Sequence, residues 1–153
     1  MMEIRKRRVD EHLPMDLLLL ADPSVEMIEK YCDTGDCFIA ESGSKIIGVY
    51  VLMKASVDRL ELVNVAVAED FQGGGIGKQL VQDAIQGAEN KGYRTLQVAT
   101  GNSSIGQLAL YQKCGFRIVG VDPDYFLIHY SEAIFENGIQ CRDRIKLELK
   151  LNK

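Results

Sequence analysis

A chain of 153 residues has the length of one domain, and folding at that length buries roughly 70% of the surface an unfolded chain exposes, enough for a core without covalent staples. With 46% hydrophobic and 26% charged residues and a net charge of −4, the composition is that of a globular protein and argues against a general nucleic-acid binder. Four scattered cysteines and two isolated histidines, His12 and His129, exclude a disulfide framework and a histidine-rich metal site.

The Cys32 and Cys37 pair lacks the second half that a zinc site needs, so no metal is expected. Reduced cysteines point to the cytoplasm. The basic start, Met1 to Arg8, leads into no apolar signal core, and the run Leu17–Ala21 stops at Asp22-Pro23, too short to span a bilayer.

In chain order, Glu3, Ile4, Arg5 and Val9 lie in a segment, residues 2–9, that reads as a strand. Leu13, Leu17 and Leu20 recur at helical spacing, and Pro23 stands near the start of a second helix with Val25, Ile28 and Tyr31. Residues 37–40, a turn at Ser42-Gly43-Ser44, and residues 46–52 read as a hairpin, and a further strand runs from Arg59 to Ala68. After a glycine cluster, Ile76, Leu80, Val81, Ala84, Ile85 and Ala88 fall on one helical face, and Gly92 ends that helix. Residues 96–99 form a strand, 101–104 supply capping residues for a helix through Cys114, and 116–121 form another strand.

Residues 122–138 carry no decisive pattern. From Arg144 to Leu151, Ile145, Leu147, Leu149 and Leu151 alternate as in a final strand. The order βααβββαβαββ describes a single domain over residues 1–153, an α/β (α+β) fold with a mixed central sheet of about seven strands flanked by about four helices. The strand–helix–strand from 60 to 99 demands a crossover, so strands 4 and 5 are parallel.

Four of the 14 glycines sit in Gln72-Gly73-Gly74-Gly75-Ile76-Gly77-Lys78, between a strand and a helix. Bare backbone N–H groups at a helix N-terminus suit a phosphate cradle, the alternative being a flexible strand–helix turn. A mononucleotide P-loop is excluded, because Gln72 stands where the first glycine belongs and Gln79 where Ser or Thr belongs. The dinucleotide fingerprint fails as well, its last position being Lys78 or Leu80.

The loop resembles instead the Q/R-x-x-G-x-G/A pyrophosphate loop of the GNAT superfamily of N-acetyltransferases, which bind acetyl-coenzyme A. Two further segments resemble that family in register: Val65-Ala66-Val67 before the loop, and Asn102 with Ala109-Leu110-Tyr111-Gln112-Lys113-Cys114-Gly115-Phe116 after it. The resemblance implies an acetyl-CoA cleft between splayed parallel strands 4 and 5. The backbone of Val65, Ala66 and Val67 would hold the pantetheine arm, and Gln72, Gly73, Gly74, Gly75, Ile76 and Gly77 the pyrophosphate. Lys78 would neutralise phosphate, or is simply a solvated helix residue. Asn102 would be a cofactor-side donor or a helix cap.

For catalysis the resemblance assigns Tyr111 as the acid that meets the departing thiolate, although a tyrosine there also suits a core edge. Glu61, six residues before Val67, stands where some members carry the base that deprotonates the amine through water. A β-bulge between them would change the face Glu61 uses, and a glutamate at a strand's start is often only solvated. Asn64 and Tyr50 are weaker candidates, and Cys114 reads as structural.

Residues 10–36 hold eight acids and one base and residues 122–136 four acids and no lysine or arginine; against a total of −4 the remainder carries +7. Both acidic segments would flank the acceptor in such a fold and steer a cationic amine, or are ordinary solvated faces. The expected activity is acetyl-CoA-dependent transfer to a primary amine of a small molecule by direct attack, in a monomer or homodimer. The alternatives are a non-catalytic acyl-CoA-binding module and a protein lysine or N-terminal acetyltransferase. No nucleic-acid or membrane partner is expected.

Overall fold

The computed structural model describes residues 2–151. Its elements are β1 (Met2–Lys6), α1 (Met15–Ala21), α2 (Val25–Thr34), β2 (Asp36–Ser42), β3 (Lys45–Ser56), β4 (Arg59–Val67), α3 (Ile76–Asn90), β5 (Thr95–Gly101), α4 (Ile105–Lys113), β6 (Arg117–Asp122), α5 (Tyr125–His129), β7 (Ile134–Glu136), β8 (Ile139–Cys141) and β9 (Arg144–Lys150). Seven strands form one sheet in the order β1-β2-β3-β4-β5-β9-β6, in which β4 and β5 are the one parallel pair among the described residues. The mixed sheet and its crossover are therefore as the pattern predicts.

Differences fall where local signals were weak. The first strand stops at Lys6 and not at residue 9, and α1 starts at Met15 because Pro14 occupies its N-cap. The undecided segment holds α5, β7 and the turn into β8, which completes a separate hairpin just beyond it; this raises the α-helices to five and makes the last strand the ninth. Asn137 and Gly138 turn that hairpin at φ of 55° and 74°, the Asn-Gly signature of a two-residue turn, but its strands are three residues each and show no alternation to flag them.

One apolar layer lies between the sheet and α3 with α4. Leu80, Val81, Ala84 and Ala88 of α3 pack on Tyr50, Leu52, Leu60, Leu62, Val65, Leu96 and Val98, as the i, i+4 stripe dictates. A second layer lies on the other face, where Leu17, Leu18, Ile28 and Cys32 of α1 and α2 cover Ile39, Val49, Val51 and Ala66. Ser24 caps α2 by accepting from the Met27 N–H at 3.2 Å. The second layer covers only the β2–β4 half of its face, and a cleft opens beside it.

Candidate active site

The parallel pairing of β4 with β5 runs only from Arg59 opposite Thr95 to Leu62 opposite Val98. Beyond it β4 stays with β3 as far as Val67, while β5 follows β9 to Gly101 opposite Arg144. The two strands part, and the Val63–Val67 edge faces a gap with its backbone groups unpaired by β5. An extended, amide-containing chain can add to such an edge as a surrogate strand.

The glycine cluster stands at the end of that edge. Gly73 and Gly75 have φ of 83° and 86°, in the left-handed region that side chains rarely adopt, and Gly75 is the N-cap residue of α3. The first turn of α3, with Ile76, Gly77 and Lys78, lacks intrahelical partners for its N–H groups, and the helix dipole adds positive potential there. Gln72 Nε2 donates to the Val67 carbonyl at 2.9 Å, bracing the loop against the edge. Lys78 is exposed beside it. A carrier with an extended amide arm and a pyrophosphate fits this edge and cradle.

Pairing skips Val63, since Asn64 faces Val51 while Leu62 faces Leu52. Because of this bulge, counting back by twos from Val67 puts Glu61 on the wrong face. Val65 and Val67 pack with α3, yet so do Leu60 and Leu62, and Glu61 points to the opposite side with Val63 and Ala66. Glu61 thereby lines the cleft of about 400 Å³ formed by α1, the start of α2, β4, β5, α5 and β9. Burial raises its carboxyl above the ordinary range, opposed by a hydrogen bond from Gln97 Nε2 at 3.4 Å and by the charge of Arg144.

Tyr111 approaches from the other layer. It is buried among Val65, Val98 and Phe116, its ring 5.7 Å from that of Phe116, and its hydroxyl accepts from Gln107 Nε2 at 3.2 Å. Burial pushes the phenol well above its usual value, so it stays protonated. Glu61 and Tyr111 thus flank β4 from opposite faces.

The remaining candidates have structural partners. Tyr50 donates to Asp83 at 2.7 Å and stacks on Phe38. Asn102 Oδ1 accepts from the Arg142 and Asp143 N–H groups and its Nδ2 donates to the Gln140 carbonyl, locking the end of β5 to the β8–β9 turn. Ser104 takes the N-cap position of α4 without a capping bond from its side chain; both Ser103 and Ser104 hydroxyls bond Glu136 instead. Cys114 has a thiol raised by burial, unsuited to a nucleophile.

Several cleft residues carry no local motif. Asp22 accepts from Tyr31 at 3.2 Å, Tyr130 at 3.0 Å and the Ser24 N–H at 3.0 Å. Asn64 Nδ2 donates to the Tyr31 hydroxyl at 2.8 Å, joining the β4 bulge to this network. Of the twelve acids in the two segments, four are ion-paired among the described residues: Glu11 with Arg5, Asp36 with Lys6 and Lys91, Asp122 with Arg144 and Lys146, and Asp124 with Arg142. Among the described residues the cleft itself holds Asp22, Glu61 and Glu136 with one cation, Arg144. No cluster of metal-ligating side chains and no helix long and apolar enough to cross a membrane occurs among the described residues.

A splayed parallel pair with a glycine cradle at its end is the arrangement that the resemblance to acetyl-CoA-dependent transferases implies. Residues 6–116 match the model of the Acetyltransferase (GNAT) family, and the chain belongs to that family and is an N-acetyltransferase. It is 56% identical over 136 residues to the uncharacterized N-acetyltransferase YvbK of Bacillus subtilis, covering 89% of this chain and 88% of that one. A GNAT acetyltransferase from Elizabethkingia anophelis with acetyl-CoA bound superposes with a TM-score of 0.96, at 47% identity over 98% of both chains. A Bacillus subtilis acetyltransferase in complex with CoA gives 0.93, at 51% identity over 99% of this chain and 100% of that one.

Proposed function

We propose that the protein transfers the acetyl group of acetyl-CoA to a primary amine of a small molecule held in the Glu61 cleft. The observation that carries this reading is the end of β4–β5 pairing at Leu62 and Val98, with Glu61 on one face of β4 and Tyr111 on the other. The donor supplies a thioester carbonyl. The backbone of Val65, Ala66 and Val67 binds its amide arm. The Gln72–Gly77 loop binds its pyrophosphate, with Lys78 adding charge and Asn102 holding the β5 end of the gap in place.

The amine nitrogen attacks the thioester carbon, an N–C bond forms and the C–S bond breaks. Glu61 receives the proton the amine loses, directly or through one water, and Tyr111 gives its proton to the departing sulfur. The raised Glu61 carboxyl is better matched to an amine's proton than an ordinary carboxylate, and the raised Tyr111 phenol keeps its proton until negative charge develops beside it. Release of free thiol from acetyl-CoA across an amine panel, with Tyr111→Phe as the control, tests the reading. Binding of acetyl-CoA with no thiol release on any amine would instead identify a sensor.

A further inference from the structure

The charged groups of the cleft differ in how far they are already satisfied. Asp22 accepts three hydrogen bonds and Glu136 accepts from two serine hydroxyls. Glu61 has only the long contact from Gln97. Arg144 is held on two sides. Its Nε and Nη2 donate to Asp122 Oδ2 at 2.9 and 2.6 Å, and its guanidinium carbon lies 4.0 Å from the centroid of the Tyr125 ring. These contacts fix the plane of the fork and leave Nη1 free among the described residues. Lys146 shares the same Asp122 carboxylate at 3.4 Å, so two cations stand against one anion and the group keeps a net charge of about +1.

Arg144 and Glu61 border one space and feel each other's charge. The cleft therefore presents one carboxylate and one preoriented guanidinium, each short of a partner. The lining of the same cleft includes the apolar side chains of Leu19, Leu20, Met27, Met53 and Phe126. We propose that the acceptor is an amino-carboxylate with an apolar body, its amine directed to Glu61 and its carboxylate bound by Arg144. This deepens the acetyltransferase reading and rests on it. It departs from the sequence-based expectation of a cationic amine, because within the cleft Asp22 and Glu136 already accept hydrogen bonds while Arg144 supplies a positive charge. Arginine suits this task because its planar fork matches a carboxylate and stays charged at every working pH.

The test compares matched probes on the intact protein: phenylalanine and leucine against phenylalaninamide, leucinamide, 2-phenylethylamine and 3-methylbutylamine. The amides keep the skeleton and carry a less basic amine, so any advantage of protonation state favours them. Wild-type kcat/KM is expected to be about tenfold or more higher for the amino acids than for the amides. Arg144→Gln should bring that ratio close to one, and Arg144→Lys should restore part of it. Equal or greater wild-type kcat/KM on the amides or amines overturns the proposal, whatever the variants do. If no amine yields thiol, the acetyltransferase reading fails by itself. Calorimetric titration of phenylalanine and phenylalaninamide into the CoA-loaded protein then decides the inference, with about tenfold tighter phenylalanine binding supporting it and equal binding overturning it.

Discussion

The Tyr130 hydroxyl donates to the Asp22 carboxylate at 3.0 Å, joining two residues 108 positions apart across the mouth of the cleft. The same carboxylate accepts from Tyr31, which also accepts from Asn64 at the β4 bulge. One anion therefore ties the α1–α2 turn, the central strand and the segment after α5 into a single wall.

Tyr130→Phe keeps the ring and removes that donor. A half-buried hydrogen bond to a charged acceptor is worth about 1 kcal/mol, which chemical denaturation can read as a shift in midpoint at constant slope. KM for the acceptor should rise while the Kd for acetyl-CoA stays within error, because the tie borders the cleft and not the glycine loop.

Glu61→Gln should lower turnover by about 10²-fold or more if the carboxylate takes the amine's proton. The acid limb of the wild-type rate profile should lie above the ordinary carboxylate value of 4.5, since burial raises this group. Stability moves the other way. The folded state holds the proton more tightly than the unfolded chain, so wild-type stability falls as pH rises from about 4.5 through the raised value. The variant lacks that loss, and its thermal midpoint relative to wild type should increase over the same window.

Tyr111→Phe should reduce kcat by about 10²-fold and leave the Kd for acetyl-CoA nearly unchanged, because the ring packing on Phe116 survives. Unchanged turnover would remove Tyr111 from the mechanism and leave it a core residue with a satisfied hydroxyl.

Gly75→Ala places a side chain at φ 86°, where it meets no neighbour within 4 Å, so the cost is conformational alone. About 1–2 kcal/mol of stability should be lost. Acetyl-CoA should bind more weakly than to wild type, as read by titration, because a shift of this N-cap moves the amides of the α3 first turn.

The sheet, the crossover and the loop were legible because they depend on local spacing. The apolar stripe of α3 from Ile76 to Ala88 and the glycines before it are contiguous in the chain. Segment 122–138 was not legible, since α5 and the β7–β8 hairpin it leads into are too short to show a period and are placed by neighbours such as Asn102 and Ser103. Arg144 reads in sequence as the first residue of a strand; its place beneath Tyr125 and beside Asp122 comes from β9 entering between β5 and β6.

From its sequence alone this protein has a determined class, a mixed sheet with a glycine-cradled crossover, because 3.6- and 2-residue periods and backbone freedom at glycine are short-range properties. Tertiary structure alone decided which groups face the cleft. The bulge at Val63 sends Glu61 to the cleft side, and the entry of β9 between β5 and β6 brings Arg144 there as its one cation among the described residues. Register and charge pairing are set by strands that meet only after the chain has folded, so no window of neighbouring residues encodes them.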